Sequence, residues 1–225
     1  MKLSIDTLSV LKNFASINQG IMFKKGKVLR TVSPHKNVMA EATVSDEFPT
    51  DFGVYDLNNF LSVLSLHKEE PTIDFQDNNV LISGLQGRSK IKYRFCAPHM
   101  IVVAPEKTIA MPDPEISFEL KSEDLEWIMK AASVLSSPCI TIDSDGSKVF
   151  VSTYDPTNDS AHTDSLEICD GNNTKYKMVF KLENIKMLPG SYDVKISSKG
   201  ISHFKHKTLN VQYWIATEAD SKYGN

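Results

Sequence analysis

The chain repeats itself, and the repeat constrains its architecture more than any other feature. Leu3 to Val28, LSIDTLSVLKNFASINQGIMFKKGKV, lies against Leu120 to Val149, LKSEDLEWIMKAASVLSSPCITIDSDGSKV. Both stretches read as a helix, an alternating strand, a glycine-centred turn and a second strand. Leu8, Leu11 and Ala15 fall opposite Leu125, Ile128 and Ala132, and Gly26 falls opposite Gly146. A second pair follows in the same order: VYDLNNF from Val54 matches VFKLENI from Val179. In each, a strand runs into a short helix, and Pro71 or Pro189 then leads into another alternating strand. The offset grows from 117 residues (Leu3 to Leu120) to 125 (Val54 to Val179), as a few loop insertions produce. Ordered self-similarity of this kind implies a duplicated structural unit.

The halves are joined by a proline-rich stretch. Pro98, Pro105, Pro112 and Pro114 are four of the ten prolines. Proline neither continues a helix nor donates to a sheet, so an extended connector is expected over about 98–114. A boundary near Lys107 gives domains 1–107 and 108–225, and 225 residues suffice for two such cores.

Helical periodicity places Leu8, Leu11, Phe14 and Ala15 on one face of a first helix, about Ser4 to Ile17, with Ser4 as its cap. The matching helix, capped by Ser122 and stopped by Pro138, turns Leu125, Ile128, Met129, Ala132 and Leu135 inward. Asp56 caps a third helix built on Leu57, Phe60, Leu61 and Leu64, and a fourth short one is expected near Leu182 to Leu188. Most of the remainder alternates with period two. Each half is thus an α+β unit, two short helices on one face of antiparallel sheet.

Catalytic signatures do not emerge. The chain has no GxxxxGK loop, GxSxG, HExxH or CxxC pair. Asp143-Ser144-Asp145-Gly146 has its glycine in the wrong place for a calcium loop and reads as a hairpin turn. His203 and His206 sit among Lys199, Lys205 and Lys207, whose charge opposes a cation, and read as a basic loop rather than a metal site. No catalytic residue, metal or cofactor is expected. Three widely spaced cysteines suit a reducing compartment, no apolar run approaches a membrane span, and no secretory leader follows Met1. The net charge of −3 argues against a tight grip on phosphates, so any contact with DNA must be local and loose.

One charge pattern stands apart. Arg88, Lys90, Lys92 and Arg94 alternate with Ser89, Ile91, Tyr93 and Phe95, which in a strand segregates charge to one face. Such a strand is either a protected sheet edge or a docking edge for an acidic strand of another subunit. HTDSLEICD, His162 to Asp170, carries Asp164, Glu167 and Asp170 and is the candidate acidic partner.

MKLSIDTLSVLKNFASINQGIMFKKG, VYDLNNFLSVLSL, IVVAPEK, KMLPGSYDVKI and EADS, in order along the chain, resemble the sliding clamps of T-even-type bacteriophages. The resemblance implies two similar DNA-clamp domains per subunit, helices inside, antiparallel sheets outside, and a homotrimeric ring around duplex DNA. It implies a processivity factor that tethers DNA polymerase, is served by a clamp loader, and acts in the cytoplasm of an infected bacterium, with transcription machinery as a further possible partner. Four helices from each of three subunits, spaced ~10 Å apart, would leave a bore of roughly 27 Å, wider than a duplex. Lys12 and Lys130 are the leading candidates for the DNA-facing surface, followed by Lys2, Lys68 and Lys186. The family's pocket for short peptide tails beneath the connector would be formed here by Val102, Val103, Ile109, Met111 and Pro112, with Trp214, Ile215 and Ala216 from the last long strand. The rival reading is a non-enzymatic viral structural or interaction protein that oligomerises without encircling DNA.

Overall fold

The computed structural model describes residues 1–67 and 71–224. It divides between Thr108 and Ile109 into two units. The first contains α1 (Ile5–Ile17), β1 (Ile21–Phe23), β2 (Gly26–Val32), β3 (Val38–Phe48), β4 (Phe52–Val54), α2 (Leu57–Ser65), β5 (Thr72–Phe75), β6 (Asn79–Gly84) and β7 (Ser89–Arg94). The second contains β8 (Ile116–Leu120), α3 (Ser122–Val134), β9 (Cys139–Asp145), β10 (Lys148–Tyr154), β11 (Ser165–Asp170), β12 (Lys175–Lys181), β13 (Tyr192–Ser197), β14 (Ile201–His206), β15 (Val211–Ala216) and β16 (Lys222–Tyr223).

The duplication is visible strand by strand. In the second unit β11, β10, β9 and β12 pair in that order, all antiparallel. In the first, β3 pairs with β2, β2 lies beside β1, and β1 pairs with β4. The meander β5–β6–β7 has its counterpart in β13–β14–β15. Even the strand β8 that precedes α3 and pairs with β13 has a vestige at the chain start, where Ile73 N donates to Met1 O at 2.7 Å.

Helix α1 packs on β2 and β3, and α3 packs on β9, β10 and β11. On α1, Leu11 and Phe14 are fully buried, while Lys12 and Ser16 remain in water. Phe23 stacks on Phe52 with centroids 4.3 Å apart, and Phe48 and Phe60 close the cluster against α2. Leu125, Ile128 and Ala132 make the buried face of α3. In the second unit Tyr192, Phe204 and Tyr213 form an aromatic core, with Tyr213 Oη accepting from Leu188 N and Tyr192 donating to Leu188 O.

Capping follows the sequence in two helices and departs from it in one. Ser4 Oγ accepts from Thr7 N, and Asp56 Oδ1 accepts from Asn59 N at 2.8 Å. On α3 the cap position is Lys121, which supplies no side-chain bond. Ser122 is already helical, and its hydroxyl donates to Glu126 instead. The fourth helix is a larger departure. Leu182–Asn184 forms a single 3-10 turn, after which Ile185 leaves helical geometry at ψ 65. Pro189 and Gly190, the latter at φ +145, close the segment before it can lengthen.

The start of α1 is fixed by Asp46 on β3, whose Oδ2 accepts from both Ser4 N and Ser4 Oγ at 2.8 Å. Partial burial pushes the Asp46 carboxyl up, but hydrogen bonds from Thr7 and Ser4 outweigh it and hold the carboxyl below its ordinary range. A depressed folded-state value stabilises the fold above the unfolded value of about 3.9, and that gain is lost as pH falls through the folded value. Asp46→Asn is therefore expected to lower stability at neutral pH. It should also flatten the loss of stability below about pH 4, measured by urea denaturation across a pH series.

Candidate assembly edges and partner groove

The basic stripe lies on β7, an outer strand of the meander β5–β6–β7. Lys90, Lys92 and Arg94 are exposed on one face, while Ser89, Ile91 and Tyr93 are half-buried on the other. Arg88 is not part of the strand. It ends the 3-10 turn Leu85–Gly87, and its Nε donates to Leu85 O. Tyr93 marks the inner face: its ring meets Phe60 of α2 edge-on at 5.1 Å, and its hydroxyl donates to Asp56 O. Burial first, and then the Asp56 charge, raise its pKa.

The acidic candidate is the outer strand β11. Simple alternation would put Glu167 and Asp170, three residues apart, on opposite faces. They share a face because the register steps at Ile168: Glu167 pairs with Phe150, Cys169 with Val149 and Asp170 with Lys148. One extra residue in the strand is a β-bulge. Both carboxylates reach Lys148 Nζ at 2.9 Å, and the Asp170 and Glu167 hydrogen bonds raise the lysine pKa. Asp164 does not join them. It precedes the strand and sits opposite buried Thr153, receiving a hydrogen bond from Trp127 of α3. The expected acidic trio is thus two carboxylates on the outer face and one on the helix side.

Lys12 on α1 and Lys130 on α3 are exposed, each on the polar face of its helix, and Lys2 is exposed just ahead of α1. Lys186 is half-buried in the segment after the 3-10 turn. Lys68 lies outside the described residues. Around Lys130 the helix carries Glu123, Glu126 and Trp127, all exposed. Trp127, at 57% exposure, is a feature that apolar periodicity does not flag, because it sits on the polar side of α3.

The peptide-pocket residues separate. Val102 and Val103 are exposed on the connector within the first unit, where Val103 to Glu106 wall a shallow groove floored by Met22 and Val28 and edged by Lys24 and Arg30. Ile109, Met111 and Pro112 are half-buried in the second unit. Trp214 and Ile215 are core residues, 3% and 0% exposed, and Trp214 stacks on His203, so neither can form a pocket wall. Strand alternation alone did not show that both faces of β15 are covered. Ala216 remains half-buried.

The connector is tied down at defined points. Asn18, buried after α1, donates through Nδ2 to Val32 O at 2.9 Å and Val102 O at 3.0 Å, and accepts from Gly20 N. A Cβ on Gly20 would lie 2.6 Å from Ile101 Cγ2, so the close approach of the connector requires glycine there. Lys24 bridges Asp51 and Glu106, each at 3.0 Å, which raises its pKa. Thr108 Oγ1 donates to Glu41, which also pairs with Arg30.

The remaining motifs are structural. His203 and His206 lie in strand β14, not in a loop; His206 is buried and its Nε2 contacts Pro189 O at 3.1 Å. Asp143 to Gly146 leads into the β9–β10 turn, with Gly146 at φ +100 and Asp145 Oδ1 accepting from Ser147 N and Lys148 N. Among the described residues, no group of three metal-ligating side chains converges, and no helix is long and apolar enough to cross a membrane.

Two family models cover most of the chain. DNA polymerase processivity factor matches residues 4–103, and gp45 sliding clamp, C terminal, matches residues 117–219. The sliding clamp of Vibrio phage KVP40 is 35% identical over 97% of this chain and 100% of that protein. The sliding clamps of Escherichia phage RB69 and Enterobacteria phage T4 are each 36% identical over 99% of both chains. The chain belongs to the sliding-clamp family.

Its fold matches solved structures at much lower identity. PCNA from Thermococcus kodakaraensis superposes with a TM-score of 0.68 at 18% identity, covering 95% of this chain and 96% of that one. Proliferating Cellular Nuclear Antigen from Entamoeba histolytica gives 0.68 at 15%, covering 94% of each. The sliding-clamp family is non-catalytic, and a processivity factor works with DNA and DNA polymerase.

In this clamp the Asn18 tie is the buried link between connector and core. Asn18→Ala strands the Val32 and Val102 carbonyls and the Gly20 N–H, and a single buried group left unpaired costs about 1–3 kcal/mol. The variant is expected to lose at least that much stability in urea denaturation. Hydrogen exchange over residues 101–104 should accelerate more than exchange in α3.

Proposed function

We propose that three copies of this chain join head to tail into a ring around duplex DNA and tether the replicative polymerase without performing chemistry. The observation that carries the reading is the pair of free sheet edges with opposite outer faces. β7 presents Lys90, Lys92 and Arg94 outward; β11 presents Glu167 and Asp170. Backbone pairing supplies directional bonds, and the charges choose the partner, since a basic edge repels its own copy and attracts an acidic one. A contact between two different edges is heterologous, and repeated rotation closes it into a ring.

The ring reading also accounts for a net charge of −3 in a protein that works on DNA. An encircling protein leaves DNA only by opening, so it needs no tight phosphate grip, and loose sequence-blind attraction permits sliding. Lys12 and Lys130 on the polar helix faces, with Lys2, supply that attraction. Three full helices per copy among the described residues, rather than the expected four, would make nine around the ring, with a 3-10 turn at each remaining place. The bore cannot then be reckoned by counting twelve equal helices.

A peptide tail presented by a polymerase, a clamp loader that opens the ring, or transcription machinery would meet the connector at Val103 to Glu106, where a narrow groove mixes apolar Met22 and Val28 with charged Lys24 and Arg30. Three free cysteines and the phage relatives favour the cytoplasm of an infected bacterium as the place of action.

Sedimentation tests the assembly. The native mass should be three times 25.2 kDa, about 76 kDa, falling on dilution. Exposed ion pairs are individually worth only ~0–1 kcal/mol and are screened. Raising salt should therefore shift the dissociation to higher protein concentration, and Lys90→Glu with Lys92→Glu should abolish the trimer. A monomer at every concentration, or a closed dimer, would overturn the ring.

Lys12→Glu with Lys130→Glu tests the helix faces. Both side chains are solvated, so the fold should hold to within about 0.5 kcal/mol. Polymerase processivity on primed DNA should fall, and fall further as salt rises. Wild-type processivity throughout would remove these lysines from the DNA-facing surface.

A further inference from the structure

The ring reading rests on charge and backbone pairing, and both leave Trp127 unexplained. The residue is 57% exposed, yet its indole has a hydrogen-bond partner. Nε1 donates to Asp164 Oδ2 at 2.8 Å. Asp164 is itself anchored, its N donating to Thr153 Oγ1 at 2.8 Å and its carbonyl accepting from Thr153 N at 2.9 Å. The indole is thereby held at the mouth of edge strand β11, whose helix-side neighbour Leu166 is only half-buried. A large aromatic has few side-chain torsions, and a hydrogen bond that favours one orientation lowers the entropic cost of covering it, so a surface that does so gains apolar burial. Fixed aromatics of this kind carry a disproportionate share of interface energy.

The chemistry of the opposite edge identifies what covers it. When two edges join, their pleats become continuous, and each face of one strand runs into the same face of the other. The outer faces then bring Lys90, Lys92 and Arg94 beside Glu167 and Asp170. The helix-side faces bring Ile91 and Tyr93, half-buried in this chain, beside Leu166 and Trp127. Carboxylates fall opposite cations and apolar groups opposite apolar groups in a single arrangement.

Building on the ring reading, we propose that Trp127 is an anchor of the subunit contact, packing on the Ile91–Tyr93 face of β7 in a second copy, with Asp164 as its positioning residue. The contact then has two layers. Salt weakens the outer, charged layer and leaves the inner, aromatic one largely intact. Association buries the indole, and ring opening exposes it.

The chain has two tryptophans, and Trp214 is buried at 3% exposure, so a change in emission on assembly reports Trp127. Wild type, Trp127→Phe, Trp127→Ala, Asp164→Ala and the Lys90→Glu, Lys92→Glu double variant would be compared by sedimentation over a dilution series and by tryptophan emission. Wild-type emission should shift red as dilution dissociates the ring, and the Trp127→Phe protein should show no shift. Trp127→Ala should raise the protein concentration for half-dissociation about tenfold or more. Asp164→Ala should raise it less, and Trp127→Phe least.

If wild type assembles and the double variant falls apart, but Trp127→Ala assembles like wild type and wild-type emission does not shift on dilution, the ring stands and the anchor is wrong. If wild type never assembles, the ring reading fails and takes the anchor with it. Should Trp127→Ala fail to fold, the dilution shift in wild type and its absence in Trp127→Phe still decide. An emission change on adding duplex DNA to the undiluted ring, with none on dilution, would also overturn the proposal by assigning the indole to DNA.

Discussion

An antiparallel sheet with one apolar face needs a cover, and in this chain the need is met by a helix in each repeat. α1 over the first unit and α3 over the second each bury three or more apolar side chains and leave their opposite face wet. Everything functional follows from that division. The wet helix faces carry Lys12 and Lys130, and among the described residues the outer strands β7 and β11 have no strand partner along one side. Those unpaired backbone rows are a hazard in a lone molecule and an asset in one that must close on copies of itself.

Much of this follows from periodicity alone. Two sequence segments repeated in order implied two units, and the strand order of β11-β10-β9-β12 reappears in the first unit wherever pairing is maintained. Leu11, Phe14, Ile128 and Ala132 are buried as a 3.6-residue period requires, and Ser4 and Asp56 cap as their positions suggest. The readings that missed did so where a third dimension intervened. The fourth helix shrank to a turn because backbone geometry at Ile185 ends it before packing can extend it. Trp214 and Ile215, expected at the wall of a peptide pocket, are core, because alternation reports two faces without saying whether the second one is covered.

The charges tell a similar story. The alternation of Lys90, Lys92 and Arg94 with Ile91 and Tyr93 is a direct reading of strand geometry, and the structure keeps it intact. The acidic counterpart was harder to foresee. Asp164 belongs to the helix side, where it holds an indole, and Glu167 and Asp170 already share Lys148 within their own chain. Both carboxylates are therefore already engaged in an ion pair within their own chain. No count of charges along the sequence shows which carboxylate is spoken for.

The bulge at Ile168 has a consequence on an evolutionary scale. It takes up one residue without changing which way its neighbours point, so Glu167 and Asp170 face outward with it and would still do so if it were deleted. This stretch can gain or lose a residue over generations while the identity of the edge survives. Lineages descended from such a chain are free to differ in length here and still keep both carboxylates on the outer face.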